Sequence, residues 1–140
     1  MKLLMRIASC LLLAACSRPV VENQLLFEDA WVRAMPPGSM MTAGFGRLVN
    51  NSAVDLKITA YASPQFADVS LHQTVLEDGM SRMQEVPALQ IPAGSEIDLE
   101  PGGHHLMFMQ PIEKQEDILL LHVDVDGGGR FSFELPVERR

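Results

Sequence analysis

The sequence predicts an all-β protein, an antiparallel β-sandwich or small barrel, on three observations. Short Val- and Thr-bearing runs are broken at close intervals by Pro, Gly, Asn and Asp, in PPGS, VNNS, ASPQ, LEDG, IPAGS, PGG and DGGG. No long stretch keeps a helical apolar stripe free of such breakers. Leu119, Leu121, Val123 and Val125 alternate with Leu120, His122, Asp124 and Asp126, the pattern of a strand with one wet face.

The elements follow in chain order. Residues 1–15 are a signal peptide. Lys2 and Arg6 form the basic start, an apolar run follows, and small residues precede the cut. Leu13-Ala14-Ala15-Cys16 resembles the lipobox of bacterial lipoproteins, in which the cysteine carries the lipid; a plain secretory signal is the alternative. Ser17, rather than Asp, slightly favours the outer membrane. Residues 16–24 then make a short polar tether, and 25–140 form one domain without internal repeat. Within it the expected strands are 27–34, 43–49, 55–62, 69–76, 80–86, 95–99, 104–109, 117–125 and 130–136. Asp126-Gly127-Gly128-Gly129 between the last two is a hairpin signal.

Composition excludes several functions. The net charge of −7 comes without a basic patch, which argues against nucleic acid. Cys10 falls in the signal and Cys16 would carry lipid, so no thiol is left for a disulfide, a thiolate metal site or a nucleophile. There is no P-loop, GxGxxG, HExxH or GxSxG, and no spacing suggestive of a catalytic triad, so an enzyme is not expected. The unusual feature is nine Met and four His in a chain without a usable Cys.

Four of these residues fall into two pairs. Val69–Val86 reads as a hairpin around Asp78-Gly79. A two-residue turn pairs Glu77 with Met80 and makes His72 and Met83 diagonal neighbours on one face; a four-residue loop would set them directly opposite. In 104–109, residues two apart share a face, so His105, Met107 and Met109 point one way and His104, Leu106 and Phe108 the other. Two imidazoles and two thioethers would make a soft site suited to Cu(I) and poor for Zn(II), Mg(II) or Ca(II). Only the two His would compete with protons. The alternative is two unrelated surface His and two core Met. Of the rest, Met35, Met40 and Met41 border a Pro-Gly turn and read as packing or a docking wall. Met80 reads as an exposed turn residue, Met109 as a nearby soft group at most, His122 as solvated, His104 as facing away, and Trp31 as core.

His72, ten residues, Met83, 21 residues, His105, one residue, Met107 resembles the H-x10-M-x21-H-x-M signature of the periplasmic copper chaperone PCu(A)C family. Ala30–Gly38, Met41–Phe45, Val49-Asn50-Asn51, Glu77-Asp78-Gly79 and Pro101–Met107 also fit, so the resemblance covers about residues 27–137. It implies a cupredoxin-like Greek-key fold and His72, Met83, His105 and Met107 as copper ligands. It further implies Cu(I) delivery to the dinuclear copper site of a cytochrome c oxidase subunit, with a thioredoxin-like copper-insertion protein as partner. Copper buffering is the alternative. Ser70 stands where many relatives carry an acidic residue, and His104 where an aromatic is frequent. The sequence ends at Arg140 without the Met/His-rich tail of some relatives, so the expectation is one copper per monomeric domain, lipid-anchored in the periplasm.

Overall fold

Ten strands carry the chain from Leu25 to Glu138: β1 (Leu25–Arg33), β2 (Met41–Asn50), β3 (Leu56–Ala62), β4 (Phe66–Glu77), β5 (Met80–Glu85), β6 (Leu89–Ile91), β7 (Glu96–Leu99), β8 (His104–Pro111), β9 (Ile118–Val125) and β10 (Gly129–Glu138). The computed structural model describes residues 24–140, and no helix occurs among the described residues. The signal segment and Cys16 lie outside them.

All nine expected strands are present, with ends displaced by a few residues at most. β6 is additional. It is three residues long, enclosed between Pro87 and Pro92, and pairs with β3 through Leu56↔Ile91 and Ile58↔Leu89. Its Leu89 and Ile91 enter the core while Gln90 stays exposed, an alternation too short to register as a strand in sequence.

Hydrogen bonding links the strands in the order β5-β4-β8-β7-β2-β1-β10-β9-β3-β6, with β2 also pairing β8. The link between the halves is parallel, Val32↔Val137 and Arg33↔Glu138. The sheet closes over one apolar cluster. Leu25, Leu48, Leu71, Leu106 and Phe108 from one half meet Ile58, Leu121, Val123 and Leu135 from the other. Each is buried because strand alternation sends every second side chain to the same side. The all-β, cupredoxin-like expectation therefore holds. Asn50 is a polar exception, fully buried, and its Nδ2 donates to the carbonyls of Val54 and Ile91 at 2.8 and 2.9 Å. That ties the end of β2 to β6 and satisfies a group that would otherwise be costly to bury.

One irregularity decides what faces the functional side. β1 pairs Glu28↔Arg47 and then Trp31↔Phe45, three steps against two, so β1 carries a bulge. Asp29 takes a positive φ of 49° within it. Before the bulge Leu25 and Phe27 point to the core; after it Val32 does, and Trp31 is turned to the other face. Simple alternation from Leu25 would have sent Trp31 inward. Gly46 makes the bulge possible, because a Cβ there would meet Ala30 Cα at 2.8 Å and Glu28 O at 2.9 Å.

Candidate metal centre

The hairpin β4–β5 forms in the two-residue register. Glu77 pairs with Met80, His72 with Glu85, and Thr74 with Met83. Asp78 and Gly79 both have positive φ, 51° and 75°, as a type I′ turn requires. His72 and Met83 are therefore diagonal neighbours on one face. β8 lies along the other edge of β4, pairing His72↔His105 and Ser70↔Met107. On its far side β2 pairs Ala43↔Met107 and Met41↔Met109. The face turned away from the core thus collects His72, Met83, His105 and Met107 across three adjacent strands. Leu71, Leu106 and Phe108, the alternate residues, fill the core.

His105 is the anchor of this face. It is only 4% exposed. Its Nδ1 lies 3.1 Å from the Gly103 carbonyl. A carbonyl can only accept, so in the neutral ring Nδ1 carries the proton and Nε2 presents its lone pair. That Nε2 is buried with no hydrogen-bond partner. Gly103 O also accepts from Thr74 N at 3.1 Å, so the orienting carbonyl is itself held by the sheet. The turn before it needs Gly102, which sits at φ 84°. Phe45 packs beside the imidazole, ring centroids 6.5 Å apart, and Trp31 packs on Phe45 at 4.8 Å. Trp31 is thus buried, as the sequence reading has it, and the bulge in β1 puts it in a layer behind the site face, beside the main apolar cluster rather than in it.

His72 is held differently. Its Nε2 lies 2.9 Å from Ser70 Oγ, and its ring centroid is 6.2 Å from that of His105, the rings inclined by 29°. A cavity of about 360 Å³ opens beside the pair, bordered by His105, Met107, Met83, Met41, Thr74 and Arg33 among others. His72 is adjacent to this cavity through His105 but does not border it. Met83 is 63% exposed at the rim. Among the described residues no three His, Cys, Asp or Glu side chains come together to hold a metal. The donors available here are one preoriented imidazole nitrogen, a second imidazole, and thioethers, a set that suits a soft monovalent ion and offers little to a hard one.

The other candidates separate by environment. Met35 packs against the core. Met40 and Met80 are exposed away from the cavity, at 58% and 56%. Met109 is half-buried opposite Met41. His122 lies on the far half of the sheet, Nδ1 2.8 Å from Ser132 Oγ. His104 pairs with Gln73 and does not border the cavity. Three contributors escaped the sequence reading: the Gly103 carbonyl, the Phe45 wall, and the Ser70 hydroxyl on His72. The PGG turn was the available signal for the first, and the two-residue spacing of Ser70 and His72 on β4 was the signal for the third; only the Phe45 wall requires knowing which strands are neighbours.

A family model described as "Putative lipoprotein LpqE-like" matches residues 25–137. The chain belongs to this LpqE-like lipoprotein family. A relative from Leifsonia xyli subsp. xyli, described as a "Putative lipoprotein", is 39% identical over 95 residues, 65% of this chain and 56% of the relative, so the chain matches little more than half the length of that protein. Solved PCuAC domains share the fold, in line with the resemblance read from the sequence. The copper-bound PCuAC domain from PmoF2 superposes with a TM-score of 0.69 at 18% identity, covering 84% of this chain and 95% of that domain. The Cu(I) form of DR1885 from Deinococcus radiodurans gives 0.65 at 27% identity, covering 84% of this chain and 83% of that one.

Proposed function

We propose that this LpqE-like chain is an extracytoplasmic metallochaperone that binds one Cu(I) through His72, Met83, His105 and Met107. It passes the ion toward the dinuclear copper site of cytochrome c oxidase, with a thioredoxin-like copper-insertion protein as intermediary. The single observation that carries this reading is His105 Nε2, a buried lone pair without a partner beside a cavity bordered by Met83 and Met107. A buried nitrogen left unpaired costs about 1–3 kcal/mol, and a soft cation removes that cost. The Cu(I) form of a 27%-identical structural neighbour supports the choice of metal.

The geometry also suits release. His105 is locked by the sheet and stays in place. Met83, exposed at the rim, can be displaced first by a partner's thiolate, so that copper moves through shared coordination and is never free. Thioethers have no S–H, so an oxidising compartment cannot tie them up as disulfides, and they bind no proton that copper would have to displace. A lipid on Cys16 would confine the exchange to a membrane surface.

Anaerobic Cu(I) titration of the protein tests the binding. The expected stoichiometry is one, with clear weakening in His105→Ala and Met83→Ala; a stoichiometry of zero, or variants that bind like wild type, sinks the reading. Deleting the gene separates the two roles. Loss of oxidase activity at low copper supports delivery, whereas copper sensitivity with normal oxidase activity supports buffering.

A further inference from the structure

Met41 stands where packing does not explain a methionine. It is 51% exposed and lies outside the core cluster, unlike Met35, which packs against it. Yet its side chain borders the same cavity as His105, Met83 and Met107. The register accounts for this: Ala43 lies opposite Met107, and Met41 lies two residues along the same face of β2, diagonal to Met107. The small Ala43 between them leaves that part of the wall low. The backbone at this point is fixed, with Ser39 Oγ donating to Met41 O at 2.8 Å and Thr42 Oγ1 donating to Arg33 O at 2.6 Å.

The opposite wall makes the placement chemically pointed. His72 does not border the cavity, and its Nε2 is engaged by Ser70 Oγ at 2.9 Å. The His and Met groups on the cavity wall are therefore one imidazole and three thioethers. We propose that Met41 is a third thioether of this centre, an exchange ligand that binds Cu(I) from the β2 side. It supplies a sulfur while His72 remains on Ser70, and again when Met83 is drawn away by a partner. Copper stays Cu(I) throughout: Met41 standing in for His72 replaces one neutral donor by another, and the partner's thiolate that displaces Met83 brings its own negative charge without any change of oxidation state. This inference rests on the copper reading of the cavity and adds a residue that the four-ligand spacing does not contain.

Methyl-13C-methionine NMR of the intact protein, titrated anaerobically with Cu(I), tests it. The expected result is that one equivalent moves the methyl resonances of Met41, Met83 and Met107 and leaves those of Met40 and Met80 in place. Met40 and Met80 are the controls, as exposed as Met41 but off the cavity. Met41→Leu keeps the apolar bulk, leaves the melting temperature unchanged, and weakens Cu(I) by roughly tenfold, the lower end of the loss when a supporting group around a metal is removed; Met40→Leu binds as wild type. A Met41 methyl that stays still while Met83 and Met107 move overturns the inference and leaves the copper reading intact, as does wild-type affinity in Met41→Leu. If no methionine methyl moves, both fall together.

Discussion

Leu106 and Met107 are consecutive, and the structure assigns them opposite duties. Leu106 is fully buried against the core, with Gly44 so close that a Cβ there would lie 3.6 Å from Leu106 Cβ. Met107 is half-buried on the other face and borders the cavity. Leu106→Ala should therefore cost about 3 kcal/mol, in the usual range for a buried leucine whose surroundings cannot collapse. With an m-value of about 1.5 kcal/mol/M, that moves the urea midpoint down by about 2 M. Met107→Ala removes a partly exposed side chain and should cost only about 1 kcal/mol, a midpoint shift below about 1 M. Copper binding should reverse the order. Met107→Ala should lose Cu(I) affinity by at least roughly tenfold, about 1.4 kcal/mol, while Leu106→Ala, measured at a temperature where it remains folded, should stay close to wild type. Urea unfolding of the apoprotein and anaerobic competition with a chromophoric Cu(I) chelator give the two numbers. If Met107→Ala proves the more destabilised variant, or if Leu106→Ala loses copper as strongly as Met107→Ala, the assignment of faces is wrong.

Gly102→Ala should destabilise by about 1–2 kcal/mol, because the positive φ of 84° is unfavourable for a residue with a side chain although the added methyl meets open space. By re-aiming the Gly103 carbonyl it should also weaken Cu(I), and an apo melt with unchanged copper affinity would contradict the role given to that carbonyl. Gly46→Ala should cost roughly 2–4 kcal/mol through backbone strain and contact with Ala30 and Glu28. Emission from Trp31, the single tryptophan, should shift as the bulge reorganises; an unchanged spectrum at unchanged stability would refute it. Tyr61 gives the pH dependence. Its hydroxyl is buried without a partner and burial pushes its pKa well above the ordinary 10.0. The unfolded chain ionises first, so stability is intact below about pH 10 and is lost as pH rises from there toward the folded-state value. Tyr61→Phe should abolish that decline and be neutral or stabilising by up to about 1 kcal/mol at pH 7. As the sole tyrosine, its own absorbance titration provides the check: ionisation near pH 10 in the native protein would refute the burial argument.

The strands were largely legible because their ends are punctuated. Pro, Gly and Asn mark almost every turn, and Asp78-Gly79 marks its hairpin, although only the structure chose the two-residue register over the four-residue one. β6 was not legible, since three residues between two prolines acquire their identity from pairing with β3 rather than from any pattern of their own. The face that Trp31 takes was not legible for a related reason. A bulge resets the alternation, and the one local trace of it, a glycine inside a strand at Gly46, lies on the neighbouring strand.

Within the candidate site, the sequence alone determined the pairs. A strand repeats every two residues, so His105 and Met107 share a face wherever β8 lies, and the Asp-Gly turn brings Met83 beside His72 without help from the rest of the chain. Family spacing then selected the same four residues. Only the tertiary structure decided that these pairs lie on adjacent strands, His72 opposite His105, and that Met41 on β2 borders the same cavity as His105, Met83 and Met107. It also decided which imidazole is ready. Hydrogen bonds to Gly103 and Ser70 distinguish His105 from His72. Both bonds run between residues two apart, so local periodicity places the partners; what it does not encode is the side-chain direction that makes each bond and the tertiary burial that leaves only His105 Nε2 without a partner.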